Sequence, residues 1–182
     1  MRAMFEILFA ILLVLHILAV MVGVGTVTVT DYLHILGIRD RRLEKRSLFV
    51  FPILSNLIFG SLVLIYITGI IMVLARPTIL ESSLFQLKVA LVFIVTVNGY
   101  ILHHFLFPKI RNAVQIGDHS EKLIKQAAFG GSLSVVSWYS IVVLALTNYL
   151  EYTVWQFLII YAGALVVAYN VAVYVETHRS KK

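Results

Sequence analysis

The run "LLVLHILAVMVGVGTVTVTDYLH", residues 12–34, decides the fold class of this chain. Nearly every side chain in it is soluble in hydrocarbon. The apolar stretch extends over about residues 5–30, which is long enough for a helix to cross a bilayer core of roughly 30 Å. A histidine, His16, lies in the middle of the run, and Asp31 and His34 lie at its end. The sequence therefore predicts a transmembrane helix with a histidine near mid-membrane.

The composition of the whole chain also indicates a membrane protein. Of its 182 residues, 60% are hydrophobic and 13% are charged, and the mean hydropathy is +0.95. Soluble domains are about half apolar and a quarter charged. The predicted spans are about 5–30, 48–75, 84–107, 128–148 and 153–175. We expect an all-α, polytopic integral membrane bundle of five transmembrane helices, forming a single membrane domain (residues 1–182) in the lipid bilayer.

Proline, serine and glycine mark the predicted ends of these spans. The Arg-Pro pair at residues 76–77 ends the second span, and Ser82 or Ser83 suits the N-cap of the third. Pro108 is expected to end the third span, and the glycine pair at 130–131 to loosen the entry to the fourth. The segment between them is predicted to be a loop, with room for an interfacial amphipathic helix.

The distribution of basic residues predicts the orientation. Twelve Lys and Arg residues fall in the first loop, the third loop and the C-terminal tail, against two at the N-terminus and in the second loop. This asymmetry predicts an N-terminus outside and a C-terminus in the cytoplasm, in the cell (cytoplasmic, inner) membrane. The net charge of +6 therefore indicates loop anchoring, and no nucleic-acid partner is expected. The absence of cysteine excludes disulfides, thiolate metal sites and cysteine nucleophiles.

His16 is the first candidate functional residue, because ionisable groups inside membrane helices face the bundle or a cavity and mark functional sites. Helical geometry puts four residues of the first span within about 40° of one another: His16, Gly23, Thr30 and His34. Such a stripe suits contact with something flat or closely packed. Two interpretations stay open: a cofactor ligand, or a neutral histidine hydrogen-bonded to a Tyr, Ser or Thr of a neighbouring helix.

A second group of polar residues lies toward the predicted cytoplasmic side. Asp31 and His34 are neighbours on one helix face, and His103 and His104 lie near the end of the third span. Asp31, His34 and one of the two adjacent histidines form a candidate N/O site for Zn, Cu or Fe. The alternative is that His103 and His104 are ordinary interface residues.

Three more candidates come from the third and fourth spans. Lys88 either extends to the outer headgroups or, with Arg76, pairs with an anionic group between helices, such as a propionate. Trp138 and Tyr139 lie at mid-membrane in "SVVSWYS", at roughly the depth of His16. They are either packing residues or the wall of a ring-shaped ligand.

Two stretches, "VLHILAVMVGVGTVTV" and "LFQLKVALVFIVTVNGYILHHFLFPKI", resemble the small helical membrane proteins of the copper-resistance CopD and protoporphyrinogen-oxidase HemJ type. The resemblance implies b-type haem, with His16 and Lys88 as the functional pair. The sequence departs from the HemJ pattern at Gln86, where a histidine would precede the lysine. The CopD branch implies copper uptake, but the chain has only four methionines.

Three functional hypotheses follow. The first is a membrane-embedded haem b (heme b) protein, acting in electron transport or as a small oxidoreductase, with His16 as the axial iron ligand. In it, Lys88, Gly23, Trp138 and Tyr139 surround the cofactor. The second is a copper-type metal-ion transporter using Asp31, His34, His103 and His104. The third is a non-catalytic helical subunit of a larger membrane complex. A redox partner or a homo-oligomer is compatible with these hypotheses.

Overall fold

The computed structural model describes residues 2–39, 41–116, 120–146 and 153–179, and every secondary-structure element in these ranges is helical. The elements are α1 (Arg2–Arg39), α2 (Arg41–Ala75), a 3-10 turn (Pro77–Glu81), α3 (Ser83–Ile101), a π-helical segment (Leu102–Leu106), α4 (Phe107–Ile116), α5 (Glu121–Leu146) and α6 (Val154–Arg179). The fold is therefore all-α, as predicted.

Five helical segments are long and apolar enough to cross a membrane. They are Ala3–Leu33, Phe49–Ala75, Ser83–Ala113, Glu121–Leu146 and Val154–Thr177. The third segment runs through α3, the π segment and α4 without a break. The prediction of a polytopic bundle with five membrane-spanning helices is confirmed at the level of length and composition.

The bundle has an upper end and a lower end, each formed by the ends of the five spans. The upper end holds residues 3, 75, 83, 146 and 154, and the lower end holds residues 33, 49, 113, 121 and 177. At the upper end Arg76 Nη2 lies 2.8 Å from Glu6 Oε2, which joins the start of α1 to the end of α2. At the lower end the rings of Phe51 and Phe107 stack with centroids 5.8 Å apart, which joins α2 to α4.

The signals at the start of the third span are confirmed, whereas the signal at its end is not. Helix α2 ends at Ala75 before Pro77, and the Ser82 hydroxyl accepts a hydrogen bond from Phe85 N at 3.4 Å as the N-cap of α3. Pro108 was expected to end the third span, and that expectation is wrong. It occupies the second position of α4, directly after the π segment, so its missing backbone N–H falls where the regular α-helical hydrogen-bond pattern is already interrupted.

The loop predicted after Pro108 is largely helical in the described residues. Helix α4 runs to Ile116, and α5 begins at Glu121 rather than at about residue 128. Glu121 and Lys125, spaced i and i+4, form an ion pair in the first turn of α5 (2.5 Å), where an acidic residue is favoured. The glycine pair at 130–131 lies inside α5 and does not loosen its start. The fourth predicted loop, residues 147–152, lies outside the described residues.

Helix α5 lies at the centre of the packing. It contacts α1, α3 and α6, while α1 and α2 form the most extensive helix pair. Trp138 of α5 is fully buried in the core cluster. Polar side chains cross several interfaces, as is usual between membrane helices: Asn98 Nδ2 donates to Gly130 O (2.9 Å), and the hydroxyls of Ser137 and Tyr161 lie 2.8 Å apart. The long apolar faces of α1 and α6 remain exposed, which suits a lipid bilayer.

Candidate functional site

His16 is held by a hydroxyl of the neighbouring helix α2. Its Nδ1 lies 2.8 Å from Thr68 Oγ1, and the same Oγ1 lies 2.6 Å from the carbonyl oxygen of Leu64. A threonine hydroxyl has one proton to donate, and the carbonyl accepts it. With that proton on the Leu64 carbonyl, the hydroxyl oxygen accepts from His16 Nδ1–H. This arrangement favours the tautomer in which Nδ1 carries the proton and Nε2 carries a lone pair.

The imidazole of His16 lies against a glycine of α2. A Cβ added at Gly69 would stand 3.7 Å from His16 Cε1, which is an ordinary van der Waals distance, so the ring lies next to this glycine without requiring it. His16 is half-buried and Thr68 is 2% exposed. The hydroxyl partner that the sequence allowed for His16 is therefore Thr68, and this contact is compatible with both interpretations of His16. That bond is also the one that a metal-ligating histidine makes through its second nitrogen.

The flat group that covers Gly23 is the indole of Trp138. A Cβ at Gly23 would lie 2.3 Å from Trp138 Cη2, 2.7 Å from Trp138 Cζ3 and 2.9 Å from Ser61 Oγ. Two residues proposed separately as cofactor contacts are thus packed against each other. They lie two turns below His16, about 10 Å along the α1 axis. Gly25 and Gly60 differ from Gly23, since a Cβ at either would meet nothing within 4 Å.

Tyr139, the other predicted wall residue, faces a different part of α1. Its hydroxyl lies 2.9 Å from Thr28 Oγ1, and the side chain is 45% exposed. Thr28 lies more than three turns along α1 from His16. The structure therefore brings Trp138 toward the Gly23 level of the bundle and Tyr139 toward its lower half.

Lys88 and Arg76 both lie at the upper end, in different surroundings. Lys88 is half-buried on α3, which packs chiefly against α5, whereas α1 packs chiefly against α2. His16 and Lys88 therefore stand on helices that do not share a main interface. Arg76 is bound to Glu6, and its guanidinium carbon lies 4.0 Å from the centre of the Phe9 ring.

The two adjacent histidines of the candidate metal site make different contacts at the lower end. His103 Nδ1 lies 2.7 Å from Ser55 Oγ of α2, while His104 is exposed and its ring centroid lies 4.4 Å from that of Tyr100. The described residues contain no group of three His, Asp or Glu side chains placed to hold a metal ion. His34 belongs to α1, but its side chain lies outside the described residues.

A cavity of about 110 Å³ lies below Trp138, and we call it the lower cavity. Its walls come from α1, α2, α3, the π segment, α4 and α5, and they are mostly apolar. Asp31, Ser55 and Trp138 are among the polar residues that line it. In the π segment, Phe107 N donates to Leu102 O. Such segments often occur at functional sites, and Leu102 and Leu106 of this one also line the cavity.

Trp138 carries an unpartnered polar atom in this region. Its Nε1 is the buried side-chain nitrogen or oxygen that has no hydrogen-bond partner among the described residues. The Cη2–Cζ3 edge of the indole packs against Gly23 and Ser61, so Nε1, on the pyrrole ring, lies away from that contact. Sequence reasoning picked Trp138 as a wall residue. It missed Thr68 and Ser55, which stood out only as hydroxyls in apolar helices.

No family model, no curated protein and no solved structure matches this chain. The chemistry of the site therefore has to come from the side chains themselves. Two regions are candidates for this chemistry. One is His16 with its partner Thr68, in the upper half of the bundle, and the other is the lower cavity below Trp138.

Proposed function

We propose that this chain is a membrane-embedded haem b protein, and that His16 binds the iron through Nε2. The observation that carries the proposal is the hydrogen bond from His16 Nδ1 to Thr68 Oγ1 (2.8 Å). Thr68 gives its own proton to Leu64 O, so Nε2 keeps the lone pair that a metal ligand needs. A second-nitrogen hydrogen bond of this kind orients ligating histidines in metal sites.

The surrounding residues support a haem site around His16, in the upper half of the bundle, rather than one directly over Gly23. Trp138 fills the space over Gly23 and forms the floor beneath His16. Thr68 contacts the imidazole and fixes its orientation. Lys88 stays a cofactor contact proposed from the sequence pattern alone, because α1 and α3 share no main interface. The resemblance in sequence pattern also rests on His16 and Lys88. A bound haem supplies one-electron redox chemistry, and the protein tunes it through the ligand and the nearby charges. We therefore place the activity in electron transfer or a small oxidoreduction.

We also propose that the upper end faces outward from the cytoplasmic membrane. The support is the excess of Lys and Arg, twelve against two, in the segments at the lower end. A reporter fused after Lys182 should be active in the cytoplasm, and one inserted into residues 77–81 should be active outside. A tail reporter that is active outside would reverse the orientation.

Absorbance spectroscopy of the protein tests the haem proposal. The chain is purified in detergent, supplied with haem b, and measured with and without dithionite. We expect a saturable Soret band, lost in His16→Ala. His104→Ala is the matched control, since His104 is exposed and lies at the other end of the bundle; it should keep the band. Thr68→Val should keep haem but weaken its binding about 10- to 100-fold, because it removes the orienting partner.

Two results would contradict the proposal. One is a protein that takes up no haem after reconstitution although it is folded and helical. The other is a full Soret band in His16→Ala together with its loss in His103→Ala, which would move the ligand to the lower end. In either case the His16–Thr68 bond is a packing contact between α1 and α2.

A further inference from the structure

A groove with basic and aromatic residues in its lining lies on the surface of the bundle at the lower end. It follows one face of α5 over about two and a half turns, and Tyr169 of α6 also lines it. The lining residues from α5 are Glu121, Lys122, Lys125, Gln126 and Phe129. The two lysines are exposed, and so is Phe129, at 58%. The groove is therefore open to the surroundings of the bundle.

The depth of these residues in a bilayer follows from the length of the fourth span. Glu121–Leu146 has 26 residues, which extend for about 39 Å along the helix axis, against roughly 30 Å of hydrocarbon. For a helix along the membrane normal, Lys122 lies about 17 Å from the middle of the span, just beyond the hydrocarbon. Lys125 lies at about 13 Å and can extend its ammonium to the headgroups. Phe129 lies at about 7 Å, beside the acyl chains. The groove thus passes from the headgroup layer into the hydrocarbon.

The charges at the headgroup level of the groove favour an anionic group. Two lysines stand against one glutamate in the lining. Lys125 forms an ion pair with Glu121 (2.5 Å), but an ammonium has three donors, so it can bind a phosphate oxygen as well. Lys122 adds a second cation one helix turn away. Basic pockets between membrane helices bind the headgroups of anionic lipids, and this lining has the matching charge.

The aromatic part of the groove favours an acyl chain. The rings of Phe129 and Tyr169 meet edge to face with centroids 6.5 Å apart, which joins α5 to α6 and gives the groove an apolar surface above the lysines. We propose that the groove binds one anionic phospholipid, whose phosphate contacts Lys122 and Lys125 and whose acyl chain lies against the two rings. The site is independent of haem binding at His16, which belongs to α1.

Fluorescence quenching by phospholipids with brominated acyl chains tests this site. In the reporter variant, Phe129→Trp is combined with Trp155→Phe, so that the new indole stands in the groove while Trp138 stays fully buried. Brominated phosphatidylglycerol is anionic, and brominated phosphatidylcholine is its zwitterionic match. In detergent micelles, phosphatidylglycerol should half-quench the reporter at about fivefold lower lipid content, the value of one net charge near a membrane surface. Native Trp155 is 76% exposed at the upper end and should show no preference.

Charge variants in the reporter background separate the groove from the general charge of the lower end. Lys122→Gln with Lys125→Gln should reduce the preference for phosphatidylglycerol to about one or below. Lys109→Gln with Arg111→Gln is the matched control. It removes the same charge from exposed positions of α4 at the same end, outside the lining of the groove, and should keep the preference.

The role of the opposing carboxylate and the nature of the ligand are tested in the same assay. Glu121→Gln should raise the preference about fivefold further, because it removes the negative charge beside the phosphate. Unbrominated phosphatidylglycerol should restore the reporter fluorescence, whereas inorganic phosphate, which has no acyl chain, should not.

Four results would overturn the proposal. The reporter may show equal quenching by both lipids, or the two double variants may lower the preference equally, in which case the lower end acts only through its total charge. An unchanged preference in Glu121→Gln would place the phosphate elsewhere. Recovery of fluorescence with inorganic phosphate alone would make the groove a phosphate site without a lipid.

Discussion

Replacing Gly23 with alanine tests the contact that separates the two regions of the bundle. The added Cβ would lie 2.3 Å from Trp138 Cη2, whereas real Cβ atoms essentially never come closer than 3.0 Å. The indole or the α1 backbone must therefore move by at least about 0.7 Å, the difference between these distances. Trp138 is a rigid, fully buried ring, so the strain cannot be relieved by rotating a flexible side chain.

The expected magnitude follows from two opposing effects. Overpacking a well-packed core costs about 1–3 kcal/mol, and replacing a helical glycine with alanine contributes up to about 1 kcal/mol of stability. With a rigid ring as the obstacle, we expect Gly23→Ala to lower the free energy of unfolding by about 1–2 kcal/mol. Gly25→Ala is the matched control on the same helix, because its Cβ meets nothing within 4 Å; it should be neutral or stabilising.

Thermal unfolding in detergent measures the difference. At about 2–4 °C per kcal/mol for a chain of this size, the two variants should melt at least about 2 °C apart. In a Trp155→Phe background, the fluorescence emission reports Trp138 alone and should shift only in Gly23→Ala. If Gly23→Ala melts with or above Gly25→Ala, the indole does not sit on Gly23 and the separation of the two regions is wrong.

Two further predictions concern pairs that bridge helices. His103→Ala should lower the melting temperature more than His104→Ala, because only His103 of the two is hydrogen-bonded to Ser55. The free energy of unfolding should fall by about 0.5–1.5 kcal/mol. Equal melting temperatures of the two variants would contradict that bond. Arg76→Ala should cost about 0.5–1 kcal/mol more than Glu6→Ala, because it removes both the exposed ion pair and the contact with the Phe9 ring. Equal losses would mean that the ring contact contributes nothing.

Hydropathy, together with the residues that mark helix ends, predicted most of the fold. A long apolar run predicts a membrane helix because the bilayer leaves no other way to satisfy the backbone, and all five spans appeared. Pro77 and Ser82 were read correctly because each acts locally. Pro108 was misread because its effect depends on its position within a helix, and the π segment before it carries no local signal.

The site was less predictable, because hydrogen-bond partners depend on how helices rotate against each other. Helical spacing alone placed His16, Gly23 and Thr30 on one face, and it allowed a hydroxyl partner for His16. Which hydroxyl it would be depends on the register of α1 against α2, and Thr68 could not be chosen over other hydroxyls in the chain. In the same way, Gly23 and Trp138 were each selected, but their mutual contact requires the packing of α1 on α5.

Trp138 belongs to two regions of the bundle at once. Its Cη2–Cζ3 edge rests on Gly23 and closes the bundle beneath His16, and the residue is also part of the lining of the lower cavity. A leucine or phenylalanine at this position would provide the packing without the donor, and a polar side chain would provide a donor without the flat surface. Indole combines an apolar face with one N–H. The contact with Gly23 therefore accounts for a large flat ring at this depth, and the described residues provide no acceptor for its N–H.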